Sequence, residues 1–86
     1  MSELTPQAAD DLDVHEVADG LVVYDLASDR VHYLNETASL VFALCTGEHD
    51  ESRIAQLVGR AWRLPQPPEA EVAACLSQLR SEGLIR

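Results

Sequence analysis

The hydrophobic period changes once along this 86-residue chain, at Leu34-Asn35. That change constrains the fold more than any other feature. Before it, apolar and polar side chains alternate, as in strands with one buried face. After it, apolar residues recur every three or four positions, the period of amphipathic helices. Residues 13–17 read as a short strand, with Val14 alternating against Asp13 and His15. Asp19-Gly20 is a strong turn signal between two β-prone runs. Residues 21–26 (LVVYDL) make the clearest strand, and residues 27–29 a second turn. Residues 30–34 (RVHYL) form a third strand, with Val31 and Tyr33 on one face and Arg30 and His32 on the other. The three strands make an antiparallel meander.

Asn35 is a good N-cap, and Glu36 follows where a negative charge suits the helix dipole. Ala38, Val41, Phe42 and Cys45 form the apolar face of a first helix that runs to Gly47. Asp50 caps a second helix, whose Ile54, Leu57, Val58 and Ala61 lie on one stripe. The run Leu64-Pro65-Gln66-Pro67-Pro68 cannot be helix interior and reads as a bent connection. Pro68 suits the first turn of a third helix lined by Val72, Cys75, Leu76 and Leu79 and closed by Gly83. Leu84 and Ile85 then fold back as an apolar plug. The expected class is α+β: a three-stranded antiparallel sheet followed by three helices packed on one of its faces. Residues 1–12 read as a flexible tail and residues 13–86 as one domain.

Composition excludes several functions. The chain carries 15 Asp+Glu against 6 Lys+Arg, all six being Arg, for a formal net charge of −9. Scattered arginines on so acidic a chain cannot displace counterions from a duplex, and an anionic membrane is disfavoured for the same reason. A chain this short has a small core and little room for a deep, dry active site. No apolar run approaches the roughly 20 residues of a membrane span, and no signal-peptide pattern is present, so the chain is expected to be cytoplasmic. His15, His32, His49, Cys45 and Cys75 show no close ligand pair of the kind zinc sites use. Both cysteines fall on apolar helix faces, which suits packing rather than nucleophilic chemistry. Asp50-Glu51 and Glu69/Glu71 lie at helix starts, where dipole compensation accounts for them. The four glycines are isolated and make no phosphate loop. No enzyme activity, metal or cofactor is expected.

What remains is an edge. In a three-stranded meander the outer strands each leave one row of backbone N–H and C=O groups unpaired, and natural edges are guarded by Pro, Lys or a bulge. Residues 30–34 carry neither Pro nor Lys. With the third helix nearby, this edge would form a groove able to take an extended peptide by strand addition. A covering tail, or a homodimer through paired edge strands, would use the same edge.

The stretch of residues 20–86 resembles the PqqD-like family, the peptide-binding modules called RiPP recognition elements. The carriers are Leu34-Asn35, Thr37-Ala38, Ser52-Arg53-Ile54-Ala55-Gln56-Leu57, Glu71-Val72, Leu76, Leu79 and Gly83-Leu84-Ile85, in that order and spacing. The resemblance implies a winged-helix-like fold and a peptide chaperone. Such modules bind the leader segment of a ribosomally made precursor peptide and deliver it to a modifying enzyme. By position, it implies backbone pairing at Val31, His32 and Tyr33, with Arg30 and Leu34 at the ends of the same strand. Side-chain pockets would come from Val72, Cys75, Leu76 and Leu79, although Val72 and Leu76 equally suit the core. Arg30 and Arg80 are candidates for pairing with acidic leader residues. The proline-rich stretch of residues 61–68 (AWRLPQPP) departs from the family pattern and puts the angle of the third helix in question, and Trp62 is expected to pack over it. A rival reading is a winged-helix DNA-binding regulator. Against it, the third helix offers only Gln78 and Arg80 beside Glu69, Glu71 and Glu82.

Overall fold

The computed structural model describes residues 5–86. Its elements are β1 (Leu12–Val17), β2 (Gly20–Asp25), β3 (Arg30–Leu34), α1 (Glu36–Ala43), α2 (Glu51–Ala61) and α3 (Glu69–Ser81). The strands form an antiparallel sheet in the order β1-β2-β3, registered by Val14↔Val23, Val23↔His32 and Leu21↔Leu34. The expected class is therefore the observed one.

Two details of the hairpins differ from the sequence reading: where the first turn ends, and Leu26, which belongs to the second turn rather than to β2. The first turn is Ala18-Asp19, and Gly20 is already the first residue of β2, paired with Val17. Gly20 is required by a close approach: a Cβ there would lie 1.9 Å from the carbonyl oxygen of Leu34. In the second turn the Asp25 carboxylate accepts hydrogen bonds from the N–H groups of Ala27 (3.1 Å) and Ser28 (3.3 Å). Bonding to Ser28 holds that carboxyl below its usual range.

One face of the sheet meets the helices. Val23 and Leu34 are buried there and Leu21 packs against the core, so Arg30, His32 and Leu34 form the inward row of β3. Val31 and Tyr33 form the outward row, and both are exposed. The helices α1 and α3 supply Val41, Phe42, Val72, Leu76 and Leu79 to the core, α2 supplies Ile54, Ala55 and Val58, and Leu84 and Ile85 close it from below. Of the helices, α1 lies nearest the sheet, against β2 and β3, while β1 pairs with β2 and turns Leu12 toward the core.

The caps follow the sequence. Asn35 Oδ1 accepts from the Ala38 N–H at 2.9 Å, and Asp50 Oδ1 from the Arg53 N–H at 2.7 Å. The first helix stops earlier than Gly47. It is capped at Leu44, and the Cys45 thiol donates back to the Val41 carbonyl at 3.2 Å. The proline-rich connection folds tightly over α2: a Cβ on Gly59 would come within 3.3 Å of both Pro67 Cα and Pro68 Cδ. Trp62, which directly precedes this connection, is 43% exposed. It lines an open depression with Gly20, Leu21, Leu40 and Ala43 on the side of the first turn.

The stretch read as a flexible tail is corrected in part; residues 1–4 lie outside the described residues. From Pro6 onward the backbone is tied into the fold. The Ala8 N–H donates to the Cys45 carbonyl (3.0 Å), the Ala9 N–H to Leu84 (2.9 Å) and the Arg86 N–H to Gln7 (2.8 Å). The Gly47 N–H donates to the Pro6 carbonyl at 3.0 Å, and Arg86 pairs with Asp10. The segment thus runs between the α1–α2 loop and the C-terminal residues. Leu12, placed in the tail by the sequence, is the first residue of β1.

Candidate peptide-binding edge

Among the described residues β3 has one strand partner, β2, and its other side carries no strand. The N-terminal segment, which could have covered that side, docks instead beside Thr46 and Ile85. The free side of β3 therefore keeps backbone groups with unfilled hydrogen-bonding capacity.

The backbones of α3 and β3 keep apart and α1 packs on both, while side chains of all three share one core across the space between β3 and α3. A polar side-chain contact crosses it as well: His32 Nδ1 lies 3.7 Å from Glu82 Oε1, at the C-cap of α3. The His32 side chain is only 12% exposed, and its Nε2 is buried without a hydrogen-bond partner. This imidazole therefore sits at the open edge with one ring nitrogen that no group of the described residues engages. Nothing in the spacing of the sequence signalled that His32 and Glu82 would meet.

The residues expected on α3 divide. Val72 and Leu76 are fully buried and Leu79 is 1% exposed, which assigns all three to the core and offers no surface to a peptide. The expectation that they line pockets is thereby corrected. A continuous apolar stripe shows that a helix face is buried, but not which part of it a neighbouring helix covers. Cys75 alone of the four is partly exposed. Burial raises its thiol pKa, and it raises that of Cys45 to about 11 with a smaller contribution from Cys75 nearby, so both thiols stay protonated at neutral pH. Arg30 and Arg80 are exposed, Arg30 opposite Asp25 across the sheet.

On the outward row the Tyr33 hydroxyl donates to the Asp19 carbonyl at 3.3 Å, which ties β3 to the first turn. Hydrogen bonding to Asp19, then desolvation, then the Asp19 and Glu36 charges raise its pKa above the ordinary value. Among the described residues no three His, Cys, Asp or Glu side chains gather as a metal-binding set, and no helix is long and apolar enough to cross a membrane.

The arrangement defines a class: a small α+β module of a three-stranded sheet and three helices, whose third strand is an open edge on the side of the last helix. The family described as Coenzyme PQQ synthesis protein D (PqqD) matches residues 20–85. The chain belongs to the PqqD family. The match begins at Gly20, which leaves outside it the β1 strand that pairs with β2. The fold is also similar to that of a solved structure described as lasso peptide synthetase B1 complexed with the leader peptide. The TM-score is 0.78 at 21% identity, over 95% of this chain and 98% of that one. No protein with a curated description matches the chain.

Proposed function

We propose that this protein binds the leader segment of a ribosomally made precursor peptide by strand addition to β3 and holds it for a modifying enzyme, with no catalytic step of its own. The observation that carries this reading is the β3 edge, which no strand of the described residues covers. Membership of the PqqD family supports it, as does the similar fold of a lasso peptide synthetase B1 solved with the leader peptide. Within Val31, His32 and Tyr33, the backbone pairing comes from Val31 and Tyr33, whose N–H and C=O groups alternate away from β2, with Arg30 and Leu34 at the ends of the strand. Cys75 offers the exposed part of α3, and Arg30 on β3 would meet an acidic leader side chain, whereas Arg80 lies beside Pro6, Gln7 and Arg86, away from this edge. The reaction belongs to the partner enzyme, whose substrate this module concentrates.

The energetics set a requirement. Ordering six or seven leader residues costs about 10 kcal/mol, at roughly 1–2 kcal/mol each. Backbone hydrogen bonds return only about 0.5–1.5 kcal/mol apiece. Apolar side chains, worth about 1.5–3 kcal/mol each when fully buried, must supply the difference. The edge fixes register and direction, and side-chain anchors set affinity.

The test is to search the neighbouring reading frames for a short precursor peptide and to titrate its leader segment into the protein by calorimetry, together with amide exchange. Binding is expected to protect amides within residues 31–33. Val31→Pro, which deletes a backbone donor and distorts the edge, is expected to weaken binding at least about tenfold while circular dichroism keeps its helical signal. Wild-type affinity in a folded Val31→Pro variant, with no protection in β3, would refute strand addition there.

A further inference from the structure

We propose that Val31 and Tyr33 select the leader, by requiring apolar or aromatic residues at two positions spaced two apart on the strand that joins β3. The inference rests on strand addition as proposed above and concerns the face of the sheet turned away from the helices.

Val31 is 61% and Tyr33 56% exposed, so each presents a large apolar surface to water beside the open edge. They do not stand alone. Across the sheet Val31 pairs with Tyr24, itself 42% exposed, and Tyr33 pairs with the half-buried Val22. Two cross-strand pairs thus make a ladder of four side chains that ends at β3. Backbone pairing at β3 and inward contacts toward Cys75 leave this ladder without a role.

An added strand must continue the pleat. Its alternate side chains then lie beside Val31 and Tyr33, with Cβ atoms about 4.5–5.5 Å from theirs. The Tyr33 ring is already tethered by its hydroxyl to Asp19, so little freedom is lost on contact. β-branched and aromatic side chains fit such a half-buried surface best. A charged residue at either position would cover apolar surface without a partner. A second copy of the chain is a poor occupant, because each copy carries a net charge of −9.

The test is a selection of random 12-residue displayed peptides on the purified chain, run in parallel on a Val31→Thr/Tyr33→Thr double variant. Thr keeps β propensity and removes most of the apolar surface at exposed positions, so folding should be retained, with circular dichroism as the check. The wild-type pool is expected to enrich Val, Ile, Phe, Tyr or Trp at two positions separated by one residue. The variant pool is expected to lose that enrichment. Peptides from the wild-type pool are expected to bind the variant roughly fivefold to tenfold more weakly. Identical enrichment in both pools, with β3 amides protected by the peptides, would overturn the outward selection while leaving strand addition standing. Selected peptides that leave β3 amides unprotected would overturn both. Self-association in sedimentation that no selected peptide reverses would assign the ladder to a second copy and overturn the proposal.

Discussion

Cys75 and Leu79 stand four residues apart on α3, yet one is partly exposed and the other lies in the core. Substituting each with an acid should therefore give different failures. Leu79→Asp puts an unpaired charge among Val41, Leu76 and Leu84, and is expected to cost about 3–5 kcal/mol, enough to unfold a domain this small. Cys75→Glu can turn its carboxylate to water, so the expected loss of stability is below about 1 kcal/mol. Leader affinity should nevertheless fall about tenfold, because the charge lies where the peptide side chain would be buried. Urea unfolding followed by calorimetry separates the two. A folded Leu79→Asp variant that has lost only binding would move Leu79 from the core to the groove. The stripe of Val72, Cys75, Leu76 and Leu79 was legible as a buried face. Its division between core and surface was not, because that depends on where α1 lies in space.

At the scale of elements, the position of β3 depends on a residue outside it. Gly20 lets the Leu34 carbonyl come closer than any side chain would allow. Gly20→Ala is expected to push β3 away from β2 at that end and to cost about 1–3 kcal/mol, by analogy with overpacking. The measurement is a lower urea midpoint with faster amide exchange at Leu34. An unchanged midpoint would mean that the Leu34 carbonyl swings aside at no cost. The sequence marked Asp19-Gly20 as a turn, and a turn is there, but the glycine serves the next strand rather than the bend. Caps at Asn35 and Asp50 were legible because their chemistry is local: a side-chain oxygen meets an N–H three residues on. The early end of α1 was not, because Ala43 to Cys45 keeps a helical apolar pattern while the chain leaves the helix to meet the N-terminal segment. The proline-rich stretch announced a bend but not its direction, which the packing of Pro67 and Pro68 on Gly59 decides.

At the scale of the whole molecule, Pro6 to Asp10 acts as a clasp. It bonds to the α1–α2 loop through Cys45 and Gly47 and to the C-terminal residues through Leu84 and Arg86. Removing residues 1–11 deletes these bonds and uncovers the core beside Ala8. The regained chain entropy offsets part of the loss, leaving an expected cost of about 1–3 kcal/mol. Thermal unfolding of the shortened chain measures it, and an unchanged midpoint would return the segment to the status of a loose tail. The sequence could not show the clasp, since Thr5-Pro6-Gln7-Ala8 has no period and its partners come from the α1–α2 loop and the far end of the chain. The acidity read from composition leaves α3 with Glu69, Glu71 and Glu82 against Arg80, and Gln78 donates to Glu82 at 2.9 Å rather than standing free to read a base.

The backbone contact between Gln7 and Arg86 brings the first described residues and the last into one ladder, so the domain is one short linker away from being a ring. Closing that ring and cutting it instead between Ala27 and Ser28 would give β3 a new free start. Its alignment with β2 would then depend on non-covalent pairing alone, and the hold of the sheet on its own outermost strand could be weighed directly against its hold on a guest.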